Sequence, residues 1–279
     1  MLLLLLSFAH TNKFNKVVRN SGFIISTILI RLSFGVDGLL YIILITVAVL
    51  FGVLILIIHN KDTTLSIPYK KMKHFDKQAK DWDNNPMKVE RAAVFANEII
   101  DFIKPNAIDT ALEFGCGTGL LSYQLKDAFK TITLADNSEG MIQVLEDKIK
   151  NLSLTNFKPL LVDLLEENLD IGKFNVIYSL MTVHHILDLN KVAKIFHSLL
   201  KTDGYLCIAD LVKEDGSFHI NHPDFDGHNG FDKNELTELL INNGFTVEHY
   251  NISYVIHKEL DSKIKQFPLF LMICKKQST

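Results

Sequence analysis

Three glycines spaced two apart, Gly115, Gly117 and Gly119, follow an apolar run, Thr110–Phe114, that carries an acid, Glu113, next to its end. A helical pattern, Leu120–Ala128, begins directly after them. Strand, glycine turn and helix in that order form a nucleotide-binding layout. Glycine lets backbone approach a ligand closely, and the helix N-terminus offers N–H groups without intrahelical partners. The spacing argues against two ligand classes. A dinucleotide fingerprint needs G-x-G-x-x-G, and counting from Gly115 or Gly117 puts Leu120 or Ser122 where the third glycine belongs. The Gly-Lys-Ser/Thr of a phosphate loop is absent as well.

More polar chemistry stands at the ends of the later apolar runs. Asp136 follows Thr131–Ala135 and Asp163 follows Lys158–Val162; a carboxylate at such a strand end can accept both hydroxyls of a ribose. His184 and His185 come after the fourth run, Phe174–Ser179, and Asp210 ends the fifth, Tyr205–Ala209. The two histidines are read either as a base or acceptor-orienting pair, or, preferably, as residues that pack and cap the next helix. Phe218–Phe231 gathers His219, His222, Asp224, Asp226 and His228. Their spacing matches no metal pattern and Pro223, Gly227 and Gly230 mark a loop, so no metal is expected. The segment is read as a substrate-facing loop, with His228 its best candidate for work on the substrate.

These residues together resemble the class I S-adenosylmethionine-dependent methyltransferases, in particular those acting on small molecules. Glu113-Phe114-Gly115-Cys116-Gly117-Thr118-Gly119 matches the first motif of that family. Leu134–Met141 with Asp136, Leu160–Leu164 with Asp163, Tyr178–Ile186, and Leu199–Gly204 match later segments in order. The resemblance covers roughly His74 to Cys274. It implies a Rossmann-like α/β fold: a seven-stranded, mostly parallel sheet with an antiparallel last strand and helices on both faces. It implies S-adenosylmethionine as cofactor, held by Glu113, Gly115, Cys116, Gly117, Gly119, Asp136, Asn137, Met141, Asp163, Leu164 and Ser179. Asp163 then meets the adenine amino group and Leu164 the ring. His74–Asp83 resembles the family's N-terminal lid helix, with Trp82 over the cofactor. Methyl transfer from a sulfonium is an in-line displacement that needs positioning, desolvation and a base only where the nucleophile carries a proton. The acceptor is expected to be a small molecule, and His228, His184 and His185 are the candidates for catalytic work. The alternatives are a catalytically inactive cofactor-binding adaptor tethered to a membrane and, more remotely, an NAD-dependent reductase.

The elements that must position this set are legible from periodicity. Asn85-Pro86 starts a helix, with Asn at the cap and Pro at the first position, and Val89 to Ile103 recur at helical spacing. Besides the five strands named above, helices are expected at Leu120–Ala128, Glu139–Asn151, Leu189–Leu200 and Asp232–Asn243. The last begins with a capping box, Asp232 and Glu235, and ends at Gly244. Such alternation implies a parallel sheet covered on both faces. Phe245–Val255 and Phe267–Cys274, with no helix between them, read as an antiparallel pair at one edge.

Composition bounds the rest. A net charge of −3 gives no footprint for nucleic acid, and three distant cysteines, Cys116, Cys207 and Cys274, form neither a disulfide framework nor a zinc spacing. No obligate protein partner is evident. Gly38–Ile58 is 21 residues without a charged residue or His; as a helix it spans about 31 Å, enough for a bilayer core. The expected organisation is therefore an apolar and basic segment, 1–37, a transmembrane helix, 38–58, a basic juxtamembrane linker, 59–73, and a methyltransferase domain, 74–279. Within 20 residues on either side, Lys61, Lys70, Lys71, Lys73 and Lys77 follow the span and only Arg19 and Arg31 precede it, which orients the domain to the cytoplasm. The anchor favours a lipophilic acceptor. A start at Met72 would instead leave a soluble cytosolic chain.

Overall fold

The computed structural model describes residues 75–165 and 170–277. The expected membrane span 38–58, the segment before it and the linker after it lie outside the described residues. Among the described residues, no helix is long and apolar enough to cross a membrane.

One seven-stranded sheet organises the fold, in the order β3-β2-β1-β4-β5-β7-β6. The strands are β1 Thr110–Phe114, β2 Thr131–Asp136, β3 Phe157–Leu161, β4 Phe174–Leu180, β5 Leu200–Leu211, β6 Phe245–Leu260 and β7 Lys263–Lys276. β1 to β5 pair in parallel, while β7 is antiparallel to both β5 and β6. The helices are α1 Pro86–Ile103, α2 Leu120–Gln124, α3 Glu139–Leu152, α4 Leu189–Leu199 and α5 Lys233–Asn242.

Period-two alternation along the strands divides the core. Ala111, Ile132, Leu134, Val176 and Tyr178 face the layer of α1, α2 and α3. Leu112, Phe114, Ile177, Leu206 and Ile208 face the layer of α4 and α5. α1 starts as its sequence dictates: the Asn85 side chain accepts from the Met87 N–H at 3.0 Å ahead of Pro86. It buries Ala92, Phe95, Ala96 and Ile99, spaced three and four apart.

The expected seven strands and antiparallel closing strand are present; β5 begins at Leu200, five residues before the expected Tyr205 and directly after α4, and three further details differ. α2 stops at Gln124 rather than Ala128. The chain must turn there to reach β2, and Asn156 Nδ2 donates to the Lys126 and Phe129 carbonyls that the turn exposes. The late strand pair runs past Val255 and begins before Phe267, closing through Asp261 and Ser262, both at positive φ. That is the backbone of a tight two-residue hairpin turn whose twist suits the strands; the lysines flanking it hide the alternation. Finally, only half of the capping box forms. Asp232 accepts from the Asn234 and Glu235 N–H groups, while the Glu235 carboxylate turns to Lys213 Nζ at 3.0 Å.

Phe196, buried on α4 and edge-on to Phe114 at 5.0 Å, is the keystone of the α4–α5 layer. Phe196→Ala is expected to lower the unfolding free energy by about 3–5 kcal/mol, measured by chemical denaturation. Ile108→Ala, at an exposed site, should change it by less than about 0.5 kcal/mol; equal losses at both positions would contradict this packing.

Candidate functional site

β1 and β4 are neighbours whose connections leave in opposite directions, so a crevice opens beyond their carboxyl ends. Everything with chemistry converges there. The glycine turn lies over β1, and Gly115, Gly117 and Gly119 all have positive φ. A Cβ on Gly115 would meet Thr182 Cγ2 at 2.1 Å, and Thr182 Oγ1 donates to the Gly115 carbonyl at 3.1 Å. At Gly117 a Cβ would meet nothing closer than 3.8 Å, where Met141 Sδ and Trp82 Nε1 lie. The first glycine is therefore needed for packing, while the middle one leaves backbone open to a ligand.

Asp136 holds the turn from β2. One carboxylate oxygen accepts from the Gly117 N–H at 2.7 Å and the other from the Ser138 N–H at 2.8 Å. Burial raises its pKa, and those backbone donors oppose the rise. A carboxylate offers about four acceptor positions, so capacity remains for ribose hydroxyls. Met141 and Leu164 are buried beside the turn and Asn137 is exposed. Asp163 Oδ1 accepts from the Leu165 N–H at 2.9 Å. Ser179 Oγ, at the end of β4, is buried without a hydrogen-bond partner among the described residues. These residues fit the expected cofactor: a backbone cradle, an acceptor carboxylate, an apolar wall and an orphaned hydroxyl.

Glu113 is wholly buried and its carboxylate accepts from Ser122 N–H at 3.2 Å and from Ser122 Oγ, which also meets Tyr178 Oη at 2.7 Å. It braces the turn from inside the sheet. Burial pushes its pKa up to about 8. Cys116 is buried at the same level, with its thiol pKa raised by desolvation.

The segment in front of α1 crosses this turn: a helical turn over residues 75–78 runs into a 3-10 helix, Ala79–Asn84. Two aspartates that the sequence reading did not single out latch it. Asp76 Oδ1 accepts from Ser138 Oγ at 2.5 Å and from the Gly140 N–H at 2.9 Å, at the start of α3. Asp83 accepts from Thr118 Oγ1 at 2.5 Å and pairs with Lys148 at 2.5 Å. Trp82 lies between these latches, with the Lys88 ammonium 3.0 Å from its ring centroid. Burial and the nearby Arg91 lower the Lys88 pKa to about 8, against a smaller opposing effect of Asp83.

On the other side of Thr182, the 3-10 turn Val183–His185 presents the histidine pair. His184 and Asp210 are both buried; His184 Nδ1 lies 2.7 Å from Asp210 Oδ1, and the His184 N–H donates to Oδ2 at 3.2 Å. The structure thus joins two residues that the sequence offers separately. His185 meets the Phe75 ring edge-on at 5.5 Å. The 218–231 segment folds back over them. The His228 N–H donates to the His184 carbonyl at 2.7 Å and its Nε2 lies 2.9 Å from the Ile186 carbonyl, so His228 pins the loop to the turn after β4. His219 stacks on Phe225 at 3.6 Å and joins His184 and His185, whereas His222, Asp224 and Asp226 stay exposed. Burial, with neighbouring His184 and Lys258, lowers the His219 pKa to about 4.

Arg91, on α1, was also missed by the sequence reading. Its Nε is buried without a hydrogen-bond partner among the described residues. Burial lowers its pKa to about 10, partly offset by Tyr254 and Asp210. An arginine inside an amphipathic helix carries no spacing signal, which is why it escapes a motif search.

Glu113 makes a pH test. Its folded pKa of about 8 lies above the ordinary carboxylate value, so between roughly pH 4.5 and 8 the folded chain holds a proton that the unfolded chain releases. Its contribution to stability should therefore fall as pH rises through that window, by up to about 1.4 kcal/mol per unit. Glu113→Gln should flatten the pH dependence of denaturation between pH 5 and 9; an unchanged profile would refute the assignment.

Comparison with known proteins agrees with this geometry. The family model described as a methyltransferase domain matches residues 68–250. The chain is 32% identical over 145 residues to an uncharacterized methyltransferase of Schizosaccharomyces pombe, covering 47% of this chain and 51% of that one. It is 29% identical over 163 residues to the ubiquinone biosynthesis O-methyltransferase of Pelagibacter ubique, covering 53% and 67%. The first of these alignments spans about half the length of the relative. Two solved structures share the fold. The Bacillus YcgJ protein has a TM-score of 0.56 at 13% identity, covering 66% of this chain and 99% of that one. A phosphoethanolamine N-methyltransferase of Haemonchus contortus, solved with S-adenosylhomocysteine, has a TM-score of 0.54 at 14% identity, covering 66% and 52%. With its seven-stranded sheet, glycine turn and strand-end carboxylates, the chain belongs to the class I S-adenosylmethionine-dependent methyltransferase family.

Proposed function

We propose that this chain binds S-adenosylmethionine across Gly115–Gly119, Asp136 and Asp163 and methylates a small-molecule acceptor seated between Thr182, the His184–Asp210 pair and Arg91. The observation that carries the reading is the Thr182 bridge: one side chain touches the glycine turn and adjoins the histidine turn, so cofactor and acceptor sites share a wall. When bound, the cofactor supplies an electrophilic methyl carbon. The chain's own residues do the remaining work. Gly117 and Asp136 fix the ribose end, Trp82 and Phe75 exclude water from above, and Asp210 holds the His184 ring in one orientation and tautomer.

Arg91 supports an acceptor with an anionic group, because a guanidinium whose buried Nε lacks a partner favours an acceptor that pairs with it. The O-methyltransferase and phosphoethanolamine N-methyltransferase names belong to those relatives and leave the accepting atom open. Access from a membrane plane rests on residues 38–58, outside the described residues, and stays part of the proposal. The reductase and inactive-adaptor alternatives gain no support from the comparisons.

The test is transfer of labelled methyl from S-adenosylmethionine by the purified full chain into a cell extract, followed by mass spectrometry of low-mass products. Label confined to protein or nucleic acid would defeat the small-molecule reading. Asp136→Ala should weaken cofactor binding about tenfold or more by calorimetry. Once an acceptor is identified, Arg91→Ala should raise its KM with little change in cofactor affinity; a loss of cofactor affinity instead would place Arg91 in the other half of the site.

A further inference from the structure

His184 and His185 come from the turn after β4 and His219 from the turn Ser217–His219 after β5, yet one nitrogen from each ring lies within 4.8 Å of the other two. The ring centroids are 4.2, 5.2 and 6.0 Å apart. No carboxylate belongs to this group of three rings. Each ring is instead fixed from outside. The Asp210 carboxylate engages His184 Nδ1 at 2.7 Å, which leaves the lone pair on the other nitrogen. Phe225 stacks on His219 within 11° of parallel, and Phe75 and Phe225 both meet His185 edge-on at 5.5 Å. His219 Nδ1 is buried with no hydrogen-bond partner among the described residues, which costs free energy unless something occupies it.

We propose that His184, His185 and His219 form a three-imidazole site for a divalent transition cation of the zinc class, with a fourth position open to the acceptor. Three nitrogen donors suit zinc and its neighbours and suit magnesium or calcium poorly. A carboxylate on the far nitrogen of His184 is the backing that metal-bound histidines have. Nitrogens bound to one tetrahedral zinc stand about 3.3 Å apart, so the rings close by roughly 1.5 Å at most from the present spacing. Only the use of the fourth position rests on the methyltransferase reading. An acceptor hydroxyl or thiol bound there loses its proton to solvent more readily. Its oxygen or sulfur then forms the new bond to the methyl carbon as the sulfonium carbon–sulfur bond breaks, releasing S-adenosylhomocysteine.

The experiment uses the full chain without a polyhistidine tag, stripped with EDTA and titrated with Zn²⁺ against a chelating dye, with Co²⁺ absorption reporting geometry. One Zn²⁺ per chain and a tetrahedral Co²⁺ spectrum are expected. Asp210→Asn should weaken Zn²⁺ binding about 10- to 100-fold, and His219→Ala or His219→Gln by more than that. The exposed His257→Ala should leave it unchanged. Circular dichroism and thermal unfolding of the same samples report whether each variant is folded, and calorimetry gives its S-adenosylhomocysteine affinity. Substoichiometric zinc, or His219 and His185 variants that bind cofactor normally and keep zinc affinity within about threefold of the parent, would overturn the site. Zinc binding that follows the histidines in a chain with no cofactor affinity would uphold the site and defeat the methyltransferase reading.

Discussion

The contact on which the rest of this molecule depends is the seating of Thr182 against Gly115. β1 and β4 lie side by side, and the chain leaves them toward opposite edges of the sheet. Their ladder pairing ends at Glu113 and Tyr178, and beyond it another contact must join the two connections. Thr182 does so by occupying the volume that any side chain at position 115 would need, and by donating to its carbonyl. The glycine turn gains its shape from one side of this contact, and the histidine turn gains its position from the other. Met181, just before it, accepts a positive φ of 55°, and its N–H donates to the Ala209 carbonyl at 2.8 Å. Strain there is offset by the register it enforces.

Around that join, charge is handled by burial and backbone rather than by surface pairs. Asp136 and Asp210 each accept two N–H donors or a ring nitrogen, and Glu113 is satisfied by a serine. Exposed pairs such as Lys126–Asp127 sit far from the crevice and contribute little. The buried groups of the site are thus little screened by water, while the partly exposed Asp83–Lys148 latch is the contact that salt can weaken.

The sheet was legible because burial imposes a period of two on each strand, and β1 and α1 fall at their expected bounds to within a residue. The glycine turn and Asp136 were legible because a ligand-binding backbone demands particular residue types at fixed intervals. Contacts that join distant segments were not. Nothing local to Asp76 or Asp83 announces that they will latch onto Ser138 and Thr118, and Asp210 does not reveal its partner 26 positions earlier. The 218–231 loop shows the limit most clearly. Its composition reads as a substrate-facing loop led by His228, whereas folding sends His219 to the histidines of the turn after β4 and commits one nitrogen of His228 to a carbonyl. Side-chain types can be read along a chain; which of them meet depends on topology.

The placement of β7 has a consequence for how the chain is made. This strand lies between β5 and β6 although it follows both in sequence. As a nascent chain emerges, the edge of β5 therefore remains an open row of amide and carbonyl groups until residues 263–276 arrive. β5 carries Asp210, and Lys265 at the start of β7 grips Asp215 and Ser217 beside the histidine loop. The crevice is completed only when the final strand of this sheet has been made, and until then the growing polypeptide exposes a sticky sheet edge that other chains can pair with.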